Sequence, residues 1–194
     1  MRDLLKRISA LLLCLLLVLS LPVTALAEEA QDSEEGTTLR IARRQQFLDF
    51  AESCRLDSYS RNLSVILLTD IDLTGVDFSG IPIFCGNFDG NGHTVSGLSI
   101  TRDGSNMGLF RYVDASAVIQ NLTVLGAVTP DGSRSAVGGI AGHNAGKIQN
   151  CFFDGTVSGS DDVGGIAGIN AITGIIDGCH SKGVITGDPR GVGG

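Results

Sequence analysis

Residues 137–145, VGGIAGHNA, return almost unchanged 26 positions later as residues 163–171, VGGIAGINA. Each copy continues to a cysteine and then to a short β-prone segment, and residues 192–194 begin a third copy. A unit of this length with several short strands and no helix cannot bury its inward-facing aliphatic side chains alone. Equivalent residues of successive units must therefore stack along one axis and share a core. The repeat predicts an all-β fold of the β-solenoid type.

The spacing of the repeats also predicts which residues stack. A degenerate earlier unit fits the same register, because residues 119–121 and 126–128 precede residues 148–150 and 155–157 by 29 positions. The paired glycines allow the backbone conformations that tight corners need. The expected stacks are Ile140 on Ile166, Ala141 on Ala167, and Ile148 on Ile175 or Ile176.

One segment upstream of the repeats, residues 43–55, has helical periodicity. Its apolar residues recur at i, i+3, i+4 and i+7 and so share one face: Phe47, Phe50, Ala51 and Cys54. We expect this short helix to cap the first coil, because an uncovered sheet edge is a template for pairing with other chains. Short β-prone segments follow it at 64–68, 71–73, 81–84 and 94–100. No comparable cap follows the last repeat, so we expect a truncated array that self-associates through its open C-terminal coil.

The first 27 residues have the parts of a cleavable export signal. A basic start ending at Arg7 precedes an apolar run over residues 8–21, and residues 25–27, ALA, form a cleavage site. The apolar run is shorter than the roughly 18–20 residues that a membrane span needs. We therefore expect cleavage after Ala27 and a secreted or cell-surface protein that is not inserted in the membrane.

The composition limits the partners. The chain has 14 Lys and Arg against 21 Asp and Glu, a formal net charge of −7, which argues against nucleic acid and anionic lipid as ligands. Only 5% of the residues are aromatic and none is tryptophan, which weakens the case for stacking on sugars. After the signal peptide, we divide the chain into an acidic linker (28–37), an N-terminal cap with the first coils (38–125), and the glycine-rich repeats (126–194).

The repeats resemble a known motif. VGGIAGHNAGKIQNC (137–151) and VGGIAGINAITGIIDGC (163–179) are similar to the GLUG motif of bacterial surface and secreted repeat proteins. Residues 67–100 and 107–124 resemble the segment that commonly precedes those repeats. The family includes adhesin-like proteins and non-catalytic regions of immunoglobulin A1-specific zinc peptidases. The resemblance implies a right-handed parallel β-helix or related solenoid outside a bacterial cell, with no catalytic residue. The insertion at 171–173 departs from the compact motif and predicts a larger loop.

Four aspartates are the best candidates for catalysis: Asp70, Asp72, Asp77 and Asp89. Paired carboxylates could serve as the acid and base of a glycosidase or lyase, and Asp70 and Asp72 would point the same way on a strand. The alternative is an exposed face, with Asp89 in a turn. We favour that alternative because no arginine or lysine cluster accompanies these residues to bind a uronate.

No metal or cofactor site is expected. The three histidines, His93, His143 and His180, do not form an H-E-x-x-H motif, and His143 aligns with Ile169 of the next repeat, which indicates a tolerant loop position. The aspartates near residues 131 and 161–162 lack the spacing of an EF-hand.

Four cysteines remain after the leader, which allows three disulfide pairings: Cys54, Cys85, Cys151 and Cys179. Cys151 and Cys179 occupy the same repeat position, and neighbouring strands lie within the separation that a disulfide tolerates. A disulfide between them and a free buried pair both remain open.

These observations predict a non-catalytic, exported repeat protein that serves as an adhesin-like binding module or stalk. Its expected ligand is a host or envelope glycan or protein. An extracellular polysaccharide-degrading β-helix enzyme and the accessory region of a secreted metalloprotease are the alternatives.

Overall fold

The computed structural model describes residues 36–132 and 134–188 in full, and residues 192–193 through their backbone. The predicted signal peptide, residues 1–27, and most of the predicted acidic linker lie outside the described residues.

Short strands separated by tight turns make up nearly all of the described chain. Helix α1, Arg44–Ser53, lies between the first two strands and falls within the segment predicted to be helical. The β-prone segments between residues 64 and 100 form β2, β3, β4 and β6. The strands are β1 (Thr38–Ile41), β2 (Ser64–Leu67), β3 (Ile71–Asp72), β4 (Ile81–Phe84), β5 (Asn87–Asp89), β6 (Thr94–Ile100), β7 (Phe110–Val113), β8 (Val118–Gln120), β9 (Thr123–Val128), β10 (Val137–Gly138), β11 (Ala141–Asn144), β12 (Lys147–Gln149), β13 (Phe152–Ser158), β14 (Val163–Gly164), β15 (Ala167–Asn170), β16 (Ile175–Asp177), β17 (His180–Thr186) and β18 (Val192–Gly193).

The strands form four parallel sheets that run along one axis. Sheet 1 has the order β1-β2-β5-β8-β12-β16, sheet 2 β3-β6-β9-β13-β17, sheet 3 β4-β7-β11-β15, and sheet 4 β10-β14-β18. The chain passes from sheet 1 to sheet 2, through sheet 4 in the later coils, to sheet 3, and back to sheet 1 one strand further along. This is a β-solenoid of about five turns, which confirms the predicted fold class. We number the coils one to five by their strands on sheet 1: β2, β5, β8, β12 and β16.

The strand register confirms the stacks predicted from the repeat. Equivalent residues of the two copies lie on neighbouring strands joined by parallel backbone hydrogen bonds. Position 148 pairs with Ile176, because the two extra residues of the second copy are taken up before β16 begins. The confirmed stacks are Ile140 on Ile166, Ala141 on Ala167 and Ile148 on Ile176.

Those extra residues form the larger loop that the insertion predicted. The amide of Gly174 donates to the carbonyl of Ala171 at 2.8 Å and closes a turn. Ile172, at its tip, is fully exposed. The turn is also tied to the coil below, since the hydroxyl of Thr173 donates to the carbonyl of Ala145 at 2.8 Å.

Phenylalanine rings fill the first part of the core, and α1 closes its end. The ring of Phe50 lies 5.9 Å from that of Phe84 and 6.0 Å from that of Phe88, measured between centroids. Phe110 continues the stack at 5.5 Å from Phe84 and 5.3 Å from Phe88. Phe47 and Phe50 of the predicted helical face are buried. The helix therefore covers the first coil as the sequence predicted.

Three glycines lie side by side on β9, β13 and β17: Gly126, Gly155 and Gly183. Their φ angles are 148°, 159° and 125°, which side chains other than glycine rarely adopt. A Cβ atom on Gly155 would also overlap the carbonyl oxygen of Gly126. Close packing of the backbones of β9, β13 and β17 therefore requires glycine at this position.

We expect Gly155→Ala to destabilise the fold by about 3 kcal/mol or more, because the new methyl group meets backbone atoms that cannot move independently. Urea unfolding of the full chain would measure the change. Gly104→Ala is the matched control, since its Cβ would meet only the ends of the Met107 and Arg111 side chains, at 3.3 Å or more. The control should lose at most about 1 kcal/mol. Equal losses in the two variants would contradict the glycine requirement.

Candidate functional site

A groove of about 490 Å³ runs across the outer face of sheet 1. Strands β2, β5, β8 and β12 contribute its walls and floor, so successive coils supply equivalent positions. Since side chains alternate along a strand, every second residue of each strand faces the groove. The lining residues are Ser64, Val65, Ile66, Asn87, Phe88, Asp89, Val118, Gln120, Lys147 and Gln149.

The polar side chains of this groove form a ladder along the axis. The side-chain amide of Gln149 donates to Oε1 of Gln120 at 2.6 Å, and that of Gln120 donates to Oδ2 of Asp89 at 2.9 Å. Asn121 donates to the second carboxylate oxygen of Asp89 at 3.0 Å. The strand register aligns these residues one above another. The ladder fixes the rotamers of the Asp89, Gln120 and Gln149 side chains, which lie on three neighbouring coils.

Asp89 is the charged end of this ladder. Its burial raises its pKa, but donation from Asn121, from the backbone amide of Asn91 and from Gln120 outweighs that effect, so the net pKa of Asp89 is lowered. The group therefore stays ionised and acts as a hydrogen-bond acceptor.

The other three aspartates each have separate partners. Asp70 accepts from the amide of Thr94 at 2.9 Å and lies 3.1 Å from Nδ1 of His93. Asp72 accepts from the backbone amide of Thr74 at 2.8 Å. Hydrogen bonds from these partners lower the pKa of both carboxyls. Asp70 and Asp72 therefore stabilise turns at the surface.

Asp77 pairs with an arginine, which corrects one expectation from the sequence. Nε and Nη2 of Arg102 lie 3.2 Å and 2.5 Å from the two carboxylate oxygens of Asp77, and this pairing lowers the pKa of Asp77. Arg102 also lines a depression of about 390 Å³ together with Arg55 and Arg111. The expectation that no arginine cluster accompanies the aspartates was therefore wrong. These arginines come from the end of the helical segment, the turn after β6 and β7, and only the coiling brings them together.

His143 also differs from its predicted setting. It lies in strand β11, paired with Tyr112 on one side and with Ile169 on the other, and is not in a loop. Its ring stacks on that of Tyr112 with centroids 4.7 Å apart and planes 12° apart. The predicted loop was wrong because an outward-facing strand position can also hold either histidine or isoleucine, so this difference between the repeats does not distinguish a strand from a loop. His180 is exposed on β17.

No group of three or more His, Cys, Asp or Glu residues that could hold a metal ion occurs among the described residues. The described part of the chain likewise contains no helix that is long and apolar enough to cross a membrane.

Cys151 and Cys179 lie at equivalent points of neighbouring coils. The pairing of β13 with β17 begins at the residues that follow them, and the amide of His180 donates to the carbonyl of Cys151 at 3.0 Å. A hydrogen bond between the two thiols lowers the pKa of Cys179 and, together with burial, raises that of Cys151. Both are free thiols in the structure. Cys179 is the less buried of the two and is therefore the thiol more accessible to an oxidant.

The other two cysteines also neighbour each other. Cys54 follows α1 and Cys85 follows β4, and both are buried. Burial and the proximity of Cys85 raise the pKa of Cys54 to about 12, so this thiol stays protonated. Of the three pairings that four cysteines allow, this arrangement favours Cys54 with Cys85 and Cys151 with Cys179.

We expect Asp89→Asn to destabilise the chain by about 1–2 kcal/mol at pH 7, because the amide cannot accept from all the donors that now surround the carboxylate. The lowered pKa makes this contribution fully present above about pH 4 and progressively lost as the pH falls through the folded-state value. Denaturant titrations from pH 7 to pH 2 should therefore show the two proteins converging in acid. Asp161→Asn, at an exposed loop position, is the control and should track the wild type. A pH-independent difference would contradict this role of Asp89.

We expect Cys151 and Cys179 to form a disulfide when oxidised glutathione is supplied. The two thiols release two protons and two electrons, and glutathione disulfide accepts the electrons and is reduced to two molecules of glutathione. The bond should stabilise the chain by about 2–4 kcal/mol relative to the reduced form. Mass spectrometry of unreduced peptides would detect it, and in Cys179→Ser the gain should disappear. Four free thiols after oxidation would contradict the prediction.

Comparisons with known proteins agree with the resemblance seen in the repeats. The model of the GLUG motif matches residues 133–158, which include β10 to β13. Halomucin of Haloquadratum walsbyi is 33% identical over 142 residues, which cover 68% of this chain and 2% of halomucin. A putative Gly-rich membrane protein of Evansella cellulosilytica is 34% identical over 96 residues, 43% of this chain and 11% of that protein. The chain thus matches a small part of each relative.

No solved structure matches the chain. The resemblance to GLUG-motif proteins therefore rests on the motif and on the repeats, which the fold places in register on successive coils. The motif predicted from the sequence is confirmed, and the chain carries a GLUG motif at residues 133–158.

Proposed function

We propose that this protein is an exported, surface-associated solenoid that acts as a non-catalytic, adhesin-like binding module. The groove across sheet 1 carries the proposal, because four successive coils line it with polar side chains in repeating rows. Its volume of about 490 Å³ falls in the range of small-ligand sites, and its lining spans four coils along the axis, as an extended ligand would need.

Preorganisation of the groove supports binding. The ladder of Gln149, Gln120 and Asp89 holds these side chains by hydrogen bonds of 2.6 Å and 2.9 Å before any ligand arrives. A surface that is already ordered loses little conformational entropy on association. The side chains of Lys147 and Asn87, which lie on the same face, have no hydrogen-bonded partner in the described part of the chain and are free to contact a ligand.

Two observations support a location outside the cytoplasm. The first 27 residues have the pattern of an export signal, with a cleavage site at residues 25–27. One relative is named as a membrane protein.

The aspartates support a binding role over the alternative of a polysaccharide-cleaving enzyme. A glycosidase needs one carboxyl whose pKa is raised so that it can protonate the leaving group. The pKa values of Asp70, Asp72, Asp77 and Asp89 are all lowered, each by its own partners.

We expect the full chain, expressed in a bacterial host, to leave the cytoplasm and to begin at Glu28 after processing. N-terminal peptide mass spectrometry of the medium and cell-surface fractions would test this. The purified product should bind at least one member of a panel of immobilised polysaccharides and matrix proteins without cleaving it. An intact leader, or release of new reducing ends from a polysaccharide, would count against the proposal.

A matched pair of lysine variants tests the groove itself. Lys147→Gln lies in the groove, whereas Lys182→Gln removes an exposed lysine of β17 outside it. We expect the first to weaken binding by about fivefold or more and the second to leave it unchanged. Equal effects would show that the ligand does not occupy the groove.

A further inference from the structure

We propose that the depression lined by Arg55, Arg102 and Arg111, which we call the arginine depression, binds the carboxylate or sulfate group of an acidic glycan. This assignment rests on the proposed binding function and names a class of ligand for it. The depression is separate from the groove on sheet 1, because its residues belong to the end of the helical segment, the turn after β6 and strand β7 on sheet 3.

The three guanidinium groups keep unused hydrogen-bond donors. Each arginine carries five N–H donors. Arg55 pairs with Glu52 at 2.8 Å, and Arg102 makes two bonds to Asp77. All three arginines line a cavity of about 390 Å³. Forked N–H groups match the two oxygens of a carboxylate or sulfate, a geometry in which arginine binds more strongly than lysine.

Arg111 is held in place by its surroundings. Its Nε and Nη2 donate to the backbone carbonyls of Asn106 and Ser105 at 3.4 Å and 3.2 Å. Its aliphatic stem passes over Gly80, where a Cβ atom would come within 2.9 Å of Cγ. The absence of a side chain at Gly80 therefore leaves the space that the stem occupies. The guanidinium is positioned without an acidic partner.

Three of the four arginines in and around the depression have a carboxylate partner. Carboxylates of Glu52 and Asp77 balance Arg55 and Arg102, and Arg134 pairs with Asp103, the acidic residue on the rim of the depression. Arg111 has no carboxylate partner within the described ranges 36–132 and 134–188. One uncompensated positive charge thus remains in a chain whose formal net charge is −7.

The size and lining of the depression favour a sugar that carries the anionic group. A cavity of about 390 Å³ admits a group about the size of one sugar ring, and Pro82 supplies an apolar wall for its C–H face. The anionic substituent would then reach the guanidinium groups.

Affinity electrophoresis of the full chain tests this with three probes: polygalacturonate for carboxylate, dextran sulfate for sulfate, and unmodified dextran. We expect retardation by at least one charged polymer, weakened by salt, and none by dextran. Retardation by one charged polymer alone identifies the group that is bound. No retardation by either, or equal retardation by dextran, would overturn the proposal.

Two arginine variants separate the site from general charge. Arg55→Gln touches only the Glu52 pair and should weaken binding about fivefold, whereas Arg40→Gln removes an exposed charge on β1 and should change it less than about twofold. Arg111→Gln should weaken binding at least as much, with circular dichroism to verify the fold. Equal effects of Arg55→Gln and Arg40→Gln would overturn the site.

The experiments distinguish failure of the proposed arginine site from failure of the proposed binding function. Binding of a neutral glycan or a matrix protein that depends on Lys147 and not on Arg55 would overturn the arginine assignment and leave the proposed function standing.

Discussion

The hydrogen bonds between successive coils are the interaction on which the rest of this structure depends. The amide of Ile140 reaches the carbonyl of Ile166 at 3.0 Å, and that of Lys147 reaches the carbonyl of Ala117 at 2.9 Å. Because the strands of sheet 1 pair in parallel and in register, a side chain that faces outward on one strand has an outward-facing counterpart on the next. The amide ladder, the thiol pair and the rows of the groove are all consequences of that register.

The corners keep the register from slipping. At the end of sheet 1, Asn121, Asn150 and Gly178 follow β8, β12 and β16 and have φ angles of 53°, 51° and 59°. Asparagine and glycine are the residues that adopt this left-handed conformation at least cost. A one-residue slip would place a less tolerant residue at the corner and turn the core side chains outward. The same corner therefore recurs in coils whose other residues differ.

The sequence predicted the later coils better than the earlier ones, because only the later coils repeat visibly. The two copies predicted the Ala141–Ala167 pair directly, whereas the insertion before β16 left the partner of Ile148 undecided until the structure showed Ile176. The helical face of α1 followed from periodicity alone. The amide ladder followed only in part. The repeat of residues 119–121 at 148–150 aligns Gln120 with Gln149, but Asp89 belongs to a coil without a recognisable repeat and stands 31 residues from Gln120. The arginine depression was missed for the same reason: nothing in the local sequence brings Arg55 near Arg111.

Both candidate surfaces lie on coils whose inward side chains are buried by a neighbouring coil or by the capping helix. Ile148 in coil four is fully buried, whereas its counterpart Ile176 in coil five is 39% exposed. The strand of Ile176 has no described coil stacked upon it in sheet 1. A coil therefore completes its core only when it has a neighbour on each side, as nearest-neighbour models of repeat proteins require. The groove draws its lining from coils one to four, and the arginine depression lies near the capping helix. Both surfaces are thus built on coils whose cores are complete, where the side chains that would meet a ligand are held most rigidly.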